Sequence, residues 1–168
     1  MRLAGGLIGF RRLCQSEARP SPSALVGVHN TIHRFFHVLD GLEAGPRVHT
    51  DGHLTNPGLG NLFLEDGEMH VEKVGLVLQG REDISAWCQR MREGWAGAPT
   101  LHAESNIVLS MEGGLIVNRS CWSALIDGAV ASYGTHDDVL ETVRCEESDV
   151  VEWRFRKRIV RHLWAAKP

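Results

Sequence analysis

From Thr100 onward the chain reads as one strand after another, and this limits the fold more than any other feature. Thr100–Met111, Leu115–Ile126, Val139–Glu147 and Val150–Trp164 have strand character, and Glu112-Gly113-Gly114, Asp127-Gly128 and Glu146–Asp149 supply the turn signals between them. A meander of this kind buries one face of an antiparallel sheet, and the cover must come from upstream. Ala24–Asp40 is an amphipathic helix, with Leu25, Val28, Ile32, Phe35, Phe36 and Leu39 on one stripe at 100° per residue. Glu82–Glu93 is a second helix, with acids in its first turn and Gly94 past its end. Met69–Leu78 suggests a hairpin of two short strands, and Leu62–Asp66 a helical turn or the start of a strand. Helices before a meander give an α+β order.

At 168 residues the chain is the length of one domain, assigned to 24–168, and it can fold without a metal or disulfide staple. Residues 1–23 differ from it. Arg2, Arg11, Arg12 and Arg19 stand against the single acid Glu17, and the segment ends in Pro20-Ser21-Pro22-Ser23. It reads as a loose N-terminal extension or an organelle-targeting segment. A formal net charge of −3 and a pI near 6.3 argue against a nucleic-acid surface. No apolar run reaches membrane-spanning length. The four cysteines, Cys14, Cys88, Cys121 and Cys145, form no C-x-x-C pair and read as reduced thiols of a cytoplasmic protein.

Nine histidines are the unusual count. On the first helix, Phe36 and Asp40 lie about 20° to either side of His29, so Asp40 borders the buried stripe. A carboxylate there either ties down the helix end or faces a pocket. His29, His33 and His37 repeat every four residues, a spacing that suits two metal-binding rings. The H-E-x-x-H motif is absent, however, and a polar helix flank without metal is the reading adopted. On the strand from Thr100, alternation puts His102, Glu104, Asn106 and Val108 on one face. A strand histidine beside an acid is a candidate base, because its ordinary pKa near 6.5 suits proton transfer. The sequence contains no nucleophile elbow and no phosphate-cradling glycine loop.

Certain segments occur together in a characteristic order. Val38-Leu39-Asp40 closes the first helix, and Leu62-Phe63-Leu64-Glu65-Asp66-Gly67 follows. Gly80-Arg81-Glu82-Asp83-Ile84 opens the second helix. Leu101-His102 precedes Asn106, and Glu152-Trp153-Arg154-Phe155 precedes Arg158. Over residues 24–164 this layout resembles the SnoaL-like group of the nuclear transport factor 2-like superfamily, which includes scytalone dehydratase, ketosteroid isomerase and polyketide cyclases. The resemblance implies a cone-shaped α+β barrel, a curved mixed sheet wrapped around N-terminal helices over a deep apolar pocket. It implies Asp40 and His102 as a general-base dyad and Arg158 as a stabiliser of developing charge. Phe36, His33, His37, Asn106 and Trp122 are the expected substrate-binding residues. Strict alternation would turn Arg158 away from Phe155, so its entry into the pocket requires a bulge. The implied activity is a dehydratase-like β-elimination, or a related isomerisation or cyclisation, on a small apolar cyclic substrate, in a homodimer without cofactor. The alternative is a non-catalytic binding or dimerisation module of the same fold.

Overall fold

A computed structural model describes residues 19–41, 58–95, 98–144 and 151–166. Most of the N-terminal extension, most of the Gly45–Gly60 loop, the turn at 146–149, and Cys14 and Cys145 lie outside the described residues.

Helix α1 spans Pro22–Leu39. The Ser21 hydroxyl accepts from the Ala24 N–H at 3.2 Å, and Pro22 follows at the first helical position, where its missing N–H costs nothing. Val28, Thr31, Ile32, Phe35, Phe36, Val38 and Leu39 are buried. Gly41, at φ +73°, ends the helix. Thr31 Oγ1 donates to the Trp153 carbonyl at 2.7 Å, and Gly27 lets the helix lie against the Trp153 ring. A Cβ on Gly27 would stand 2.6 Å from Trp153 Cδ1.

The strands are β1 (Phe63–Val71), β2 (Leu76–Gln79), β3 (Thr100–Glu112), β4 (Leu115–Ile126), β5 (Ala129–Arg144) and β6 (Val151–Ala165). Helix α2 (Gly80–Gly94) follows β2. A short 3-10 turn at Gly60–Leu62 leads directly into β1, so the Leu62–Asp66 segment is both a turn and a strand start. The six strands form one sheet in the order β2-β1-β6-β5-β4-β3. The pairings are antiparallel except β1 with β6, which is parallel. The sheet is therefore curved, mixed and unclosed, with β2 and β3 as its edges.

Two details depart from the sequence reading. Strand β5 begins at Ala129, ten residues before the expected Val139. Gly134, Asp137 and Asp138 made that stretch look like a turn, because glycine and aspartate are poor strand formers. The ladder to β4 and β6 and a buried arginine partner for Asp138 override the propensity. The second detail is a set of bulges. In β3, Asn106 and Ile107 together oppose Ser120, and in β6 Arg156 is an extra residue between Phe155 and Lys157. Each bulge bends its strand and changes which side chains face inward downstream.

Candidate active site

The end of α1 meets the start of β3 at Asp40. Its Oδ2 accepts the backbone N–H of His102 at 2.7 Å, and its Oδ1 lies 2.5 Å from His102 Nδ1. Both side chains are nearly buried, 1% exposed for Asp40 and 7% for His102. An ionised carboxylate only accepts, so the ring donates through Nδ1–H and the neutral imidazole carries its lone pair on Nε2. Burial alone would raise the Asp40 carboxyl. The side-chain and backbone hydrogen bonds from His102 outweigh burial and hold it below the ordinary carboxylate value. No described residue hydrogen-bonds Nε2. The His102 ring is stacked on Phe36, with centroids 5.8 Å apart, and tilted against Trp95 at 5.6 Å.

Arg158 is fully buried. The Arg156 bulge places it on the same side of β6 as Phe155, as the resemblance required. Its guanidinium is not free, however. It lies 4.0 Å from the Phe35 ring centroid and 4.6 Å from that of Phe155. Nη2 donates to His136 Nδ1 at 3.0 Å and to Asp138 Oδ2 at 3.2 Å, and stands 3.6 Å from Glu104 Oε1. Nε lies 3.0 Å from Asp138 Oδ1 without hydrogen-bond alignment. Asn118 Nδ2 donates to Asp138 Oδ2 at 2.9 Å, and the Ser120 hydroxyl donates to Glu104 Oε1. Six polar residues from β3, β4, β5 and β6 thus form a single buried network around one cation.

Burial shapes the ionisation of this network. Glu104 would be raised by burial, but His136, Arg158 and Ser120 bring it down to about 2. Burial and then the Arg158 charge push His136 down to about 3. Burial pushes Asp138 up to about 6, against the pull of Arg158. At neutral pH the network holds Arg158 charged, Glu104 ionised and His136 neutral.

An aromatic ladder joins the dyad to the network. Phe36 stacks on His102 and also on His136, at 5.7 Å, and Trp122 stacks on His136 at 5.7 Å. Phe36 and Trp122 are therefore in the same cluster as the dyad. The other expected substrate-binding residues are not. His33 and His37 are exposed on the outer side of α1, where His33 stacks with His29. Asn106 is exposed at the β3 bulge, at φ +52°. The alternation that put it beside His102 breaks at that bulge, and Glu104 is the inward neighbour. Among the described residues, no three His, Cys, Asp or Glu side chains converge to hold a metal.

Sequence reasoning missed the network's members Asn118, Ser120, His136 and Asp138 as site residues. Alternation within β4 does align Asn118 and Ser120 with Trp122, and the same period aligns His136 and Asp138 once β5 is extended to Ala129.

Residues 25–159 match the family model of the SnoaL-like domain. No curated protein matches the chain. Solved structures do. Aln2 from a Streptomyces species superimposes with a TM-score of 0.67 at 21% identity, over 85% of this chain and 93% of that one. A putative scytalone dehydratase from Novosphingobium aromaticivorans gives 0.61 at 19%, over 84% and 85%. ActVI-ORFA from Streptomyces coelicolor gives 0.62 at 22%, over 83% and 97%. These likenesses establish the fold.

Proposed function

The chain belongs to the SnoaL-like domain family, and on that premise we propose that it is a small-molecule lyase whose base is the Asp40–His102 dyad. The observation that carries this reading is the pair of hydrogen bonds from one Asp40 carboxylate to the ring and the backbone of His102. They fix the ring's orientation and leave Nε2 as the basic nitrogen. His102 removes a proton from carbon, and Asp40 stabilises the imidazolium that forms, as the acid does in a hydrolase triad. Loss of a β-hydroxyl then gives a dehydratase. The same proton removal begins an isomerisation or a cyclisation. Phe36 and Trp95 beside the ring favour a largely apolar, cyclic substrate.

The test is a screen of hydroxylated and halogenated cyclic compounds, followed by His102→Ala on whichever is turned over. The expected result is retained binding with a rate loss of about 10²–10⁴-fold. Equal loss of both, or of neither, sinks the lyase reading.

A second reading has its own observation. Phe36 and Trp122 are both packed against His136, and the dyad is almost fully buried. A non-catalytic binding or dimerisation module, in which Asp40 and His102 satisfy each other, fits this packing. Such a module binds ligand with no turnover at all.

A homodimer fits the outer face of the sheet. Leu101, Leu125 and Val130 are in register across β3, β4 and β5, with Leu101 and Val130 about half exposed. Exposed Tyr133 and Trp164 stack nearby at 5.8 Å. No helix among the described residues is long and apolar enough to cross a membrane. The free thiols Cys88 and Cys121 suit a reducing, cytoplasmic setting.

A further inference from the structure

Four of the described histidines have a place in the packing. His70, His102 and His136 have charged partners, and His162 packs edge-on against Trp122 at 4.9 Å. The three on α1 differ. The rings of His29, His33 and His37 make no hydrogen bond or ion pair among the described residues, and the reaction proposed above uses none of them. His33 and His37 are exposed, and His29 is half-buried.

A spacing of four residues places two side chains one above the other on a helix, with Cβ atoms about 5–6 Å apart. The His29 and His33 rings do lie together. Their centroids are 6.3 Å apart and their planes 25° from parallel. Two imidazole nitrogens that share one ion each stand about 2.0–2.1 Å from it, so a small rotation of the exposed His33 ring brings the pair to that geometry. The backbone beneath them is anchored. Val28, just before His29, and Ile32, just before His33, are fully buried, and Thr31 Oγ1 donates to the Trp153 carbonyl at 2.7 Å. Chelation therefore orders two side chains and nothing else. A pair held on a fixed helix is positioned more sharply than one on a loop.

The donor set decides the kind of ion. Imidazole suits copper, nickel and zinc. No carboxylate or thiol joins the two rings, because no three His, Cys, Asp or Glu side chains converge among the described residues. A structural zinc ion, which takes four protein ligands, does not fit. An ion that keeps water in the rest of its shell does. The nearest charge in sequence, Arg34, projects about 100° further round the helix than His33. His37 is one turn beyond His33, and among the described residues its ring is not stacked with either of the others. The four-residue repeat by itself fits a metal-free flank equally well, and the placement of the rings is what singles out one pair. Against the metal-free flank expected from the sequence, we propose that His29 and His33 form a two-histidine chelate for a divalent late transition-metal ion, Cu(II) or Ni(II), with water in its remaining positions. The site is independent of the lyase reading, since neither ring is a partner of Asp40 or His102.

Calorimetric titration of the full chain with Ni(II) tests this. Ni(II) is the probe because it does not oxidise the thiols of Cys88 and Cys121. His29→Gln and His33→Gln should each weaken binding at least about tenfold, since losing even an outer partner of a metal ligand costs that much. The double variant should bind no more weakly than either single one, because one missing ring already breaks the chelate. His37→Gln should stay within about twofold of wild type. Glutamine suits a helix, and urea unfolding without metal should show all four variants as stable as wild type. Ni(II) is also paramagnetic, so a sub-stoichiometric amount should broaden the ring-proton NMR signals of His29 and His33 first and leave that of His70 sharp. A loss in His37→Gln equal to that in His29→Gln overturns the assigned pair. Additive losses in the double variant mean adventitious contacts at single histidines only, and overturn the chelate. Binding that none of the variants alters, or broadening that begins at another histidine, overturns the site.

Discussion

The Asp40–His102 pair and the Arg158 network share one sheet and one helix, yet they treat protons in opposite ways. In the dyad each carboxylate oxygen has its own His102 donor and one ring nitrogen remains without a described partner. A carboxylate stands at Nδ1 of its histidine. In the network a cation sits where that acid would be. His136 is pushed down to about 3 and cannot take a proton under ordinary conditions. In the proposed reaction one histidine takes up a proton, while burial and a cation keep the other neutral. Both rings pack on Phe36, and what sets His136 apart is burial first and then the Arg158 charge, which together outweigh the Glu104 carboxylate also at its Nδ1.

The sharpest way to break the dyad while leaving the network alone is Asp40→Asn. The backbone N–H of His102 still needs an acceptor, so the amide oxygen goes there and the amide NH₂ faces the ring. Nδ1 must then accept, the proton moves to Nε2, and the basic site is lost. Proton abstraction should fall by as much as about 10⁴-fold, the size seen when a triad acid is replaced by its amide. The cost in stability should be only about 1 kcal/mol, since the backbone hydrogen bond survives. Exchange kinetics and urea unfolding on the same variant separate the two.

Arg158→Met should do the reverse. It removes the cation from the buried network and leaves Glu104 and Asp138 with only the Ser120 and Asn118 donors and no compensating charge among the described residues. Breaking a buried ion network by removing one partner costs about 3–5 kcal/mol. Urea unfolding reads this directly. A variant nearly as stable as wild type would show that the network is not held together by Arg158.

This contrast also explains what the sequence could reveal. The α+β order, both helices and the β3 and β4 boundaries followed from periodicity and turn residues, because those signals are local. Asp40 was legible as a polar residue on the edge of an apolar stripe, and its link to His102 through the family layout. Arg158 was legible only conditionally, since its direction depends on the Arg156 bulge and an inserted residue has no reliable local signature. His136 and Asp138 were hidden for a different reason. Their strand contradicts its own propensities and forms only because partners on β4 and β6, distant in sequence, satisfy the polar groups.

The pH dependence of stability should show the network as a net effect. Glu104 at about 2 and His136 at about 3 are both depressed below their unfolded values of 4.5 and 6.5. Each contributes stability that is lost as pH falls, His136 from about 6.5 downward and Glu104 from about 4.5 downward. Asp138 runs the other way. Its value of about 6 is raised above 3.8, so its contribution is full below the unfolded value and lost as pH rises through 6. Between about pH 5 and 6.5 the proton that Asp138 holds largely offsets the one His136 refuses, and stability should be nearly flat. Below about pH 4.5 the loss should approach about 1.4 kcal/mol per pH unit. Glu104→Gln should remove most of that acid limb. Thermal or urea unfolding at pH 3 to 7 tests it, and an unchanged limb in the Gln variant would place the titrating group elsewhere.

The smallest effect is expected at Asn106, the residue that alternation placed beside His102 and the bulge turned outward. Its φ of +52° is a conformation glycine adopts freely and asparagine tolerates, so Asn106→Gly should shift stability by no more than about 0.5 kcal/mol. Asn106→Val puts a β-branched side chain at that φ and should cost about 1–3 kcal/mol in strain. Neither should change the proton-exchange rate by more than a few-fold, because the side chain is exposed and its one described hydrogen bond is a long contact to Cys121 Sγ at 3.8 Å. If Asn106→Gly instead abolished exchange while leaving unfolding unchanged, the working conformation of β3 would be the unbulged one. Asn106 would then share a face with both His102 and Glu104.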